Sequence, residues 1–173
     1  MLERTGAKTA LLITEGFRDI YEIGRINRPD SYNLFFQKHE PLVERALRFE
    51  VNERLFAEGD VYKPLNEQNV RDTCKILKDE GVEAVAILLL HCYADPTHER
   101  RVREIVEEEL PDVFVSTSHE LSQEYREFER CSTVVANAYI GPKVKGYIGG
   151  INDRIHADGF DGSFLVVQST GGL

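Results

Sequence analysis

The run Ala84-Val85-Ala86-Ile87-Leu88-Leu89-Leu90 decides the fold, because it is the longest apolar stretch of the chain. A continuous aliphatic run, without the alternation of a strand that has one wet face, is typical of a parallel strand covered on both sides. It is too short to cross a bilayer. The run therefore predicts a central strand of a layered α/β domain.

Helical patterns flank this run on both sides. Before it, residues 66–81 have the asparagine N-cap, the apolar face and the closing glycine of a helix. After it, Asp95-Pro96 begins a second helical pattern that ends at Pro111, and the apolar Val113-Phe114-Val115 follows. Residues 84–116 therefore predict a parallel, right-handed βαβ unit.

Other segments predict the remaining elements. Lys8–Thr14 is a short apolar run that indicates a core strand. In residues 45–52 apolar and polar side chains alternate, which predicts a second strand. Val61-Tyr62 is expected to pair with that strand in an antiparallel hairpin. Gly141-Pro142 is expected to interrupt a helix, and residues 164–167 to form a last buried strand. We predict an α/β fold with a mixed sheet, a parallel βαβ part and flanking helices.

Composition excludes several classes of function. The 173 residues suit about one domain, and 30 acidic against 21 basic side chains give a net charge of −9, which repels nucleic acid and anionic lipid. The N-terminus lacks the pattern of a secretory signal, so we expect a cytoplasmic protein without a membrane or nucleic-acid partner. The three widely spaced cysteines predict structural thiols, and no metal-ligand spacing is present.

The stretch from Ser118 to Tyr139 is the strongest candidate for a site. It follows a predicted strand and concentrates a histidine, carboxylates and arginines, and the carboxyl ends of strands are where α/β proteins place their sites. As an acid–base pair, His119-Glu120 would need a substrate within hydrogen-bonding reach. The alternative is a solvated helix face, since several of these charges stand three or four residues apart and can pair with one another.

Two loops add candidate anion sites. Arg18 and Arg25 follow the first strand and could clamp a carboxylate or phosphate, although loop arginines are commonly solvated or ion-paired. The glycines of residues 168–172 could let backbone N–H groups approach a phosphate, although a simple tight turn has the same composition.

Several blocks of residues, taken in order along the whole chain, resemble the hydantoinase A / 5-oxoprolinase family, which also includes acetone and acetophenone carboxylase subunits. The blocks are Thr14-Glu15-Gly16-Phe17-Arg18-Asp19, Ile23-Gly24-Arg25, Arg28-Pro29, Val51-Asn52-Glu53-Arg54, His98-Glu99, Ser118-His119-Glu120, Arg126-Glu127-Phe128-Glu129-Arg130, Asn137-Ala138-Tyr139 and Gln168-Ser169-Thr170-Gly171-Gly172.

The resemblance implies a fragment of an actin-like (ribonuclease H-like) ATPase that opens a cyclic amide or imide, such as a hydantoin or 5-oxoproline. It implies ATP and Mg²⁺ as cofactors, phosphorylation of an inert carbonyl oxygen, and a hydantoinase B-type partner subunit or domain. The alternatives are a subunit of an ATP-dependent ketone carboxylase and a noncatalytic interaction module. The family's main phosphate motifs are absent from the sequence, so we expect the isolated fragment to be inactive.

The resemblance also divides the chain and assigns its residues. Residues 1–132 correspond to the N-terminal region of the family and residues 133–173 to the beginning of a second region, which are compatible with one compact unit. The implied catalytic residues are His119, Glu120, Arg126, Glu127 and Arg130; the implied substrate-binding residues are Arg18, Asp19, Arg25 and Asn137; and Ser169, Thr170, Gly171 and Gly172 are expected near the ATP phosphates.

Overall fold

A computed structural model describes residues 3–25, 32–36 and 40–167 of the chain. Packing divides the chain into two compact units, Met1–Pro142 and Lys143–Leu173. The first unit holds the sheet and every contact of the candidate site. The boundary predicted from the resemblance, near residue 132, stays a prediction about sequence families.

The elements of the described residues are, in chain order, β1 (Thr9–Thr14), α1 (Ile20–Ile23), β2 (Arg48–Val51), β3 (Arg54–Leu55), β4 (Val61–Lys63), α2 (Glu67–Asp79), β5 (Ala84–Leu88), α3 (Thr97–Glu109), β6 (Phe114–Thr117), α4 (Ser118–Leu121) and α5 (Glu127–Ala157). Strands and helices alternate from β4 to α4, whereas β2, β3 and β4 follow one another directly, and one 3₁₀ turn lies at Arg45–Leu47. None of the helices in the described ranges is long and apolar enough to cross a membrane.

The central sheet has the strand order β2-β1-β5-β6, and every neighbouring pair is parallel. β1 and β5 lie side by side in its middle, with Leu12 opposite Ile87, and both strands are buried along their whole length. The predicted strand at 84–90 and the predicted βαβ unit are therefore confirmed. With the small antiparallel pair β3–β4 beside it, the molecule has the predicted α/β architecture.

The two helices that cover the sheet begin with side-chain caps. Asn66 accepts a hydrogen bond from the backbone N–H of Asn69 at the start of α2, at 3.1 Å. Asp95 accepts from the N–H of Thr97 at the start of α3, at 2.9 Å. Each helix then buries an apolar stripe, so local capping and period both favour the observed structure.

The pairing of β2 differs from the prediction. β2 is parallel to β1, with Phe49 opposite Leu12, whereas the strand that returns at Val61–Lys63 pairs with the two residues Arg54–Leu55. The alternation of residues 45–52 correctly indicated a strand, but the predicted wet face is only partly exposed, since Arg48 is buried and Glu50 is exposed. Alternation also carries no information about the partner strand.

Two expectations for the C-terminal part are wrong. α5 continues through Gly141-Pro142, because Cys131, Val134 and Val135 in its first half are buried and this packing outweighs the helix-breaking tendency of proline. Residues 164–167 form no strand and are largely exposed. A strand needs a neighbour to satisfy its backbone, and none pairs with these residues in the described part of the chain.

Two glycines of α5 provide a matched test of its packing. A methyl group at Gly141 would overlap the ring of Phe114, whereas Gly146 has open space around it. We expect Gly141→Ala to lower the free energy of unfolding by about 1–3 kcal/mol, because overpacking outweighs the gain in helix propensity. Gly146→Ala should leave stability unchanged or raise it by up to about 1 kcal/mol. Urea denaturation followed by circular dichroism measures both, and a Gly141→Ala protein as stable as the wild type would contradict the contact with Phe114.

Candidate active site

The carboxyl ends of the four parallel strands meet at one edge of the sheet, and polar groups lie at or just beyond each end. Thr14 ends β1, Glu53 comes two residues after β2, the backbone N–H of Leu89 follows β5 and Ser118 follows β6. Crevices outside this edge are the usual binding sites of open α/β sheets. The candidate site lies at this edge.

Glu99, in the first turn of α3, supplies a fully buried carboxylate at the centre of the edge. Its Oε1 accepts from the backbone N–H of Leu89 at 3.1 Å and from the hydroxyl of Ser118 at 2.8 Å. Its Oε2 lies 2.9 Å from the backbone nitrogen of His119 and 2.6 Å from Nδ1 of the same residue. One side chain thus joins the ends of β5 and β6 to the start of α3.

A second buried carboxylate, Glu53, joins the ends of β1 and β2 to the same helix. Its Oε2 lies 2.8 Å from Nδ1 of His98, and its Oε1 accepts from the hydroxyl of Thr14. Thr14 in turn accepts from the backbone N–H of Leu90 at 2.9 Å. The consecutive residues His98 and Glu99 therefore contact two different buried groups, which fixes the start of α3 against all four strands of the central sheet.

Arg130 of α5 is the buried cation of this edge, with only 1% of its surface exposed. It donates to the carbonyl of Leu89 at 3.1 Å and to the sulfur of Cys92 at 2.6 Å, and its guanidinium carbon lies 5.5 Å from the ring centre of Tyr93. Its Nε has no partner among the described residues. These contacts hold the turn that leaves β5.

An open cleft of about 610 Å³ lies over this edge, beside β3 and β4. We call it the β3–β4 cleft. Its walls combine apolar and charged groups, and Glu53 connects it to the buried pairs beneath. The lining residues are Glu15, Glu53, Arg54, Leu55, Phe56, Ala57, Glu58, Tyr62, Lys63 and His91.

His91 has an unusual backbone conformation where it meets the cleft. Its φ is +60°, in the left-handed region that non-glycine residues seldom occupy and that is found repeatedly at functional positions. The ring Nδ1 lies 3.1 Å from the hydroxyl of Tyr93. Burial, followed by the nearby charges of Arg54 and Arg130, holds the pKa of His91 below its ordinary value.

The structure brings two of the predicted catalytic residues into the buried edge and places a third beside them. His119 bonds to Glu99, and Arg130 lies within 3.5 Å of the Ser118 hydroxyl that Glu99 also binds. Glu120 is half exposed and pairs with Arg103 at 2.6 Å. A hydrogen bond from Thr117, with the charge of Arg103, lowers the pKa of Glu120.

The other predicted residues have their contacts elsewhere. Arg126 lies on the surface against Tyr125, and Glu127 is the first residue of α5. Arg18 donates to the carbonyl of Arg45, Asp19 is ion-paired with Arg45, Arg25 is ion-paired with Glu129, and Asn137 donates to Ser116. Ser169, Thr170, Gly171 and Gly172 lie outside the described residues. The roles assigned to all of these residues stay predictions.

Three residues of the edge were not among the predicted site residues. The sequence placed His98 at the surface or in a cap, yet it is buried against Glu53. Glu53 and Glu99 belong to the blocks that resemble the family, but no role was predicted for them. The available signal was their position, since each stands directly after a strand or in the first turn of a helix that follows one.

Comparison with known proteins gives the family. The model of the hydantoinase/oxoprolinase N-terminal region matches residues 1–110, and the hydantoinase/oxoprolinase model matches residues 130–173. The chain belongs to the hydantoinase/oxoprolinase family. The family predicted from the ordered blocks is thereby confirmed.

Relatives within the hydantoinase/oxoprolinase family differ in what their names say they act on. The chain is 36% identical to the acetophenone carboxylase gamma subunit of Aromatoleum aromaticum and 32% identical to 5-oxoprolinase 1 of Arabidopsis thaliana, over 99% and 100% of its length. The crystal structure of the ATP-dependent caprolactamase from Pseudomonas jessenii superposes with a TM-score of 0.84 at 34% identity, covering 90% of this chain and 23% of the other. The chain spans 25% and 15% of the two relatives matched by sequence.

A substitution at Glu99 tests the buried edge. We expect Glu99→Gln to lower the free energy of unfolding by about 2–4 kcal/mol, because an amide NH₂ would face groups that now donate to a carboxylate. Glu107 on the same helix, an exposed partner of Arg103, gives the matched control, and Glu107→Gln should cost less than about 1 kcal/mol. Urea denaturation compares the two variants, and equal effects would rule out a structural role for the Glu99 contacts.

Thiol reactivity gives a second test. The three cysteines are buried, and burial raises the pKa of Cys74 and Cys92 to about 11 and that of Cys131 to about 12. At pH 8 about one Cys92 thiol in a thousand is then ionised, so iodoacetamide should leave all three unmodified in the native protein. Peptide mass spectrometry measures this, with the urea-denatured protein as the control that reacts fully. Rapid native labelling of Cys92 would mean that the edge is open to solvent.

Proposed function

We propose that the protein containing this chain uses ATP to open a cyclic amide or imide of the hydantoin or 5-oxoproline type, and that the ring binds in the β3–β4 cleft. The observation that carries the proposal is an open cleft of about 610 Å³ at the carboxyl edge of a parallel sheet, directly above buried carboxylate–histidine pairs. Family membership and the similarity to an ATP-dependent caprolactamase support it.

The cleft offers one wall for a ring and another for its polar atoms. Phe56 and Tyr62 pack edge to face, with ring centres 5.1 Å apart, and present an apolar surface. Arg54, Lys63 and His91 present charged and hydrogen-bonding groups. With its pKa lowered, the imidazole of His91 is neutral near pH 7, so it can hold a carbonyl or amide group without carrying a charge.

We propose that ATP activates the amide. It supplies a phosphoryl group to the carbonyl oxygen, which opens the carbonyl carbon to attack by water. The proposed phosphate-proximal residues Ser169–Gly172 lie outside the described residues. Within the described ranges, no group of three or more His, Cys, Asp or Glu side chains is placed to hold a metal ion. We assign the residues that line the β3–β4 cleft to the amide side of the reaction.

Within this proposal, the catalytic role is assigned to five residues. Three of them lie at or beside the buried edge, namely His119, Glu120 and Arg130, and two lie at or next to the start of α5, namely Arg126 and Glu127. Arg18, Asp19, Arg25 and Asn137 keep their proposed part in binding substrate. The protein is proposed to work with a hydantoinase B-type partner, which is consistent with relatives that are themselves named as subunits.

A second candidate function is ATP-dependent carboxylation of a ketone. It is favoured by the 36% identity to the acetophenone carboxylase gamma subunit, which is slightly above the 34% identity to the caprolactamase subunit alpha. The two functions share an activated carbonyl oxygen and differ in the bond that forms. Water attacks the carbonyl carbon of the amide, whereas the α-carbon of the enolised ketone attacks the carbon derived from bicarbonate.

Substrate-dependent release of ADP distinguishes the candidates. The full-length protein, with its partner subunit where one is encoded, is supplied with ATP, Mg²⁺ and one of four compounds: 5-oxoproline, hydantoin, caprolactam or acetophenone. We expect ADP release above the ATP-only rate with a cyclic amide, without bicarbonate, accompanied by the ring-opened acid in chromatography. The ring-opened product of each amide serves as the matched control and should not stimulate ADP release.

Two results would contradict the proposal. ADP release that requires both the ketone and bicarbonate would assign the carboxylase function instead. No stimulation by any compound, with ATP binding also absent from calorimetry, would favour a noncatalytic interaction module.

A further inference from the structure

Among the charged groups that line the β3–β4 cleft, Glu15, Glu53 and Lys63 have partners, whereas the side chains of Arg54 and Glu58 have none within the described residues. Lys63 is ion-paired with Glu15, with 2.6 Å between Nζ and Oε2, and Glu53 is bonded to Thr14 and His98. The Arg54 side chain makes no hydrogen bond and no ion pair with any residue that the structure describes. A guanidinium that lines a cleft and has no counter-ion is available to an anionic ligand.

The position of Arg54 is nevertheless fixed. It lies in the short strand β3 and is half buried, and its guanidinium carbon stands 4.8 Å from the ring centre of Phe17. A cation over an aromatic face is held without using up its N–H donors. Its N–H donors therefore have no partner among the described residues while the group is held in place at the cleft wall.

His91 provides a second directed group in the same cleft. Its Nδ1 is engaged by Tyr93, whereas its Nε2 has no hydrogen-bond partner in the described part of the chain. The backbone of His91 is held in the left-handed region, which persists only where the surroundings enforce it. A ring nitrogen and a guanidinium, neither with a hydrogen-bond partner among the described residues, thus line the same cleft.

We propose that Arg54 is the specificity-determining residue of the β3–β4 cleft, and that it selects ligands carrying a carboxylate by binding that group through its guanidinium. The neutral part of the ligand then lies toward Phe56 and Tyr62, with His91 Nε2 as its hydrogen-bonding partner. This inference rests on the proposed function, because it names the class of amide that the cleft accepts. It separates acidic cyclic amides from neutral lactams and ketones.

The charge of the cleft favours a carboxylate over a phosphoryl group. Three carboxylates, Glu15, Glu53 and Glu58, line the cleft against two cations. A monoanion can be balanced by the single unpaired guanidinium, whereas a phosphate dianion would bring a second negative charge among these carboxylates. Inorganic phosphate is therefore the ligand that tests whether Arg54 binds a phosphoryl group instead of a carboxylate.

The test compares two ligands that differ only in the carboxylate, 5-oxoproline and 2-pyrrolidone, by isothermal titration calorimetry on the full-length protein without ATP. We expect the wild type to bind 5-oxoproline at least tenfold more tightly than 2-pyrrolidone. Arg54→Gln should remove most of this preference by weakening 5-oxoproline alone. Lys63→Gln is the matched control: it makes the same change in net charge at the same cleft, and it should keep a preference within about threefold of the wild type, because Lys63 is already paired.

Three results would overturn the inference. These are a wild type that binds both ligands equally, an Arg54→Gln protein that keeps the preference, or an Lys63→Gln protein that loses it to the same extent as Arg54→Gln. Displacement of 5-oxoproline by millimolar inorganic phosphate in an Arg54-dependent manner would likewise overturn it and assign the guanidinium to phosphoryl groups.

The outcome is independent of the ADP-release assay. If 5-oxoproline binds through Arg54 but stimulates no ADP release, the inference stands and the proposed reaction fails. If a neutral lactam is hydrolysed with ATP while the calorimetric preference is absent, the proposed reaction stands and the inference fails.

Discussion

The buried carboxylate of Glu99 is the interaction on which the rest of the structure depends. An ionised carboxylate taken out of water is very costly unless its oxygens are fully hydrogen-bonded. Glu99 meets this demand with a backbone N–H after β5, a hydroxyl and a backbone N–H after β6, and a histidine ring. Three of these groups belong to the adjacent residues Ser118 and His119 after β6 and the fourth to Leu89 after β5, so the carboxylate is satisfied only when β5, β6 and α3 are all in place. The edge of the sheet is thereby held rigid beneath the cleft, as a site built on regular elements requires.

Local order could be read from the sequence, whereas the choice of partners could not. The run at 84–90 and the capped helix at 67–79 were predicted correctly because apolar period and capping are properties of neighbouring residues. The pairing of β2, the continuity of α5 through Pro142 and the absence of a strand at 164–167 depend on which distant residues supply packing or hydrogen bonds. No window of sequence contains that information.

The same division explains the candidate site. His119 stood out because it follows a strand, and the structure indeed connects it to the buried edge. Glu53 and His98 are 45 residues apart in sequence, and each alone resembles an ordinary surface residue. Their pairing follows only from the parallel order of the strands, which brings the end of β2 and the start of α3 to one edge. Arg54 was missed for the opposite reason, since its distinguishing feature is a guanidinium without an ion pair among the described residues.

His91 links the hydrogen-bonded edge of the sheet to the β3–β4 cleft, in which some polar groups have no partner among the described residues. Burial and two arginines lower its pKa, and these effects outweigh the nearby carboxylates of Glu127 and Glu58, which act in the other direction. The positive charge next to the cleft is consequently supplied by guanidinium groups, which do not lose their protons in proteins, and not by an imidazole that titrates near neutral pH. A protein with a net charge of −9 can in this way keep a local cationic group at its cleft across the physiological pH range. Arg130 contributes to this field from the buried side, where it contacts Leu89, Cys92 and Tyr93. Its charge adds to burial and to the charge of Arg54 in lowering the pKa of His91, so the residue that holds the turn after β5 also acts on the cleft.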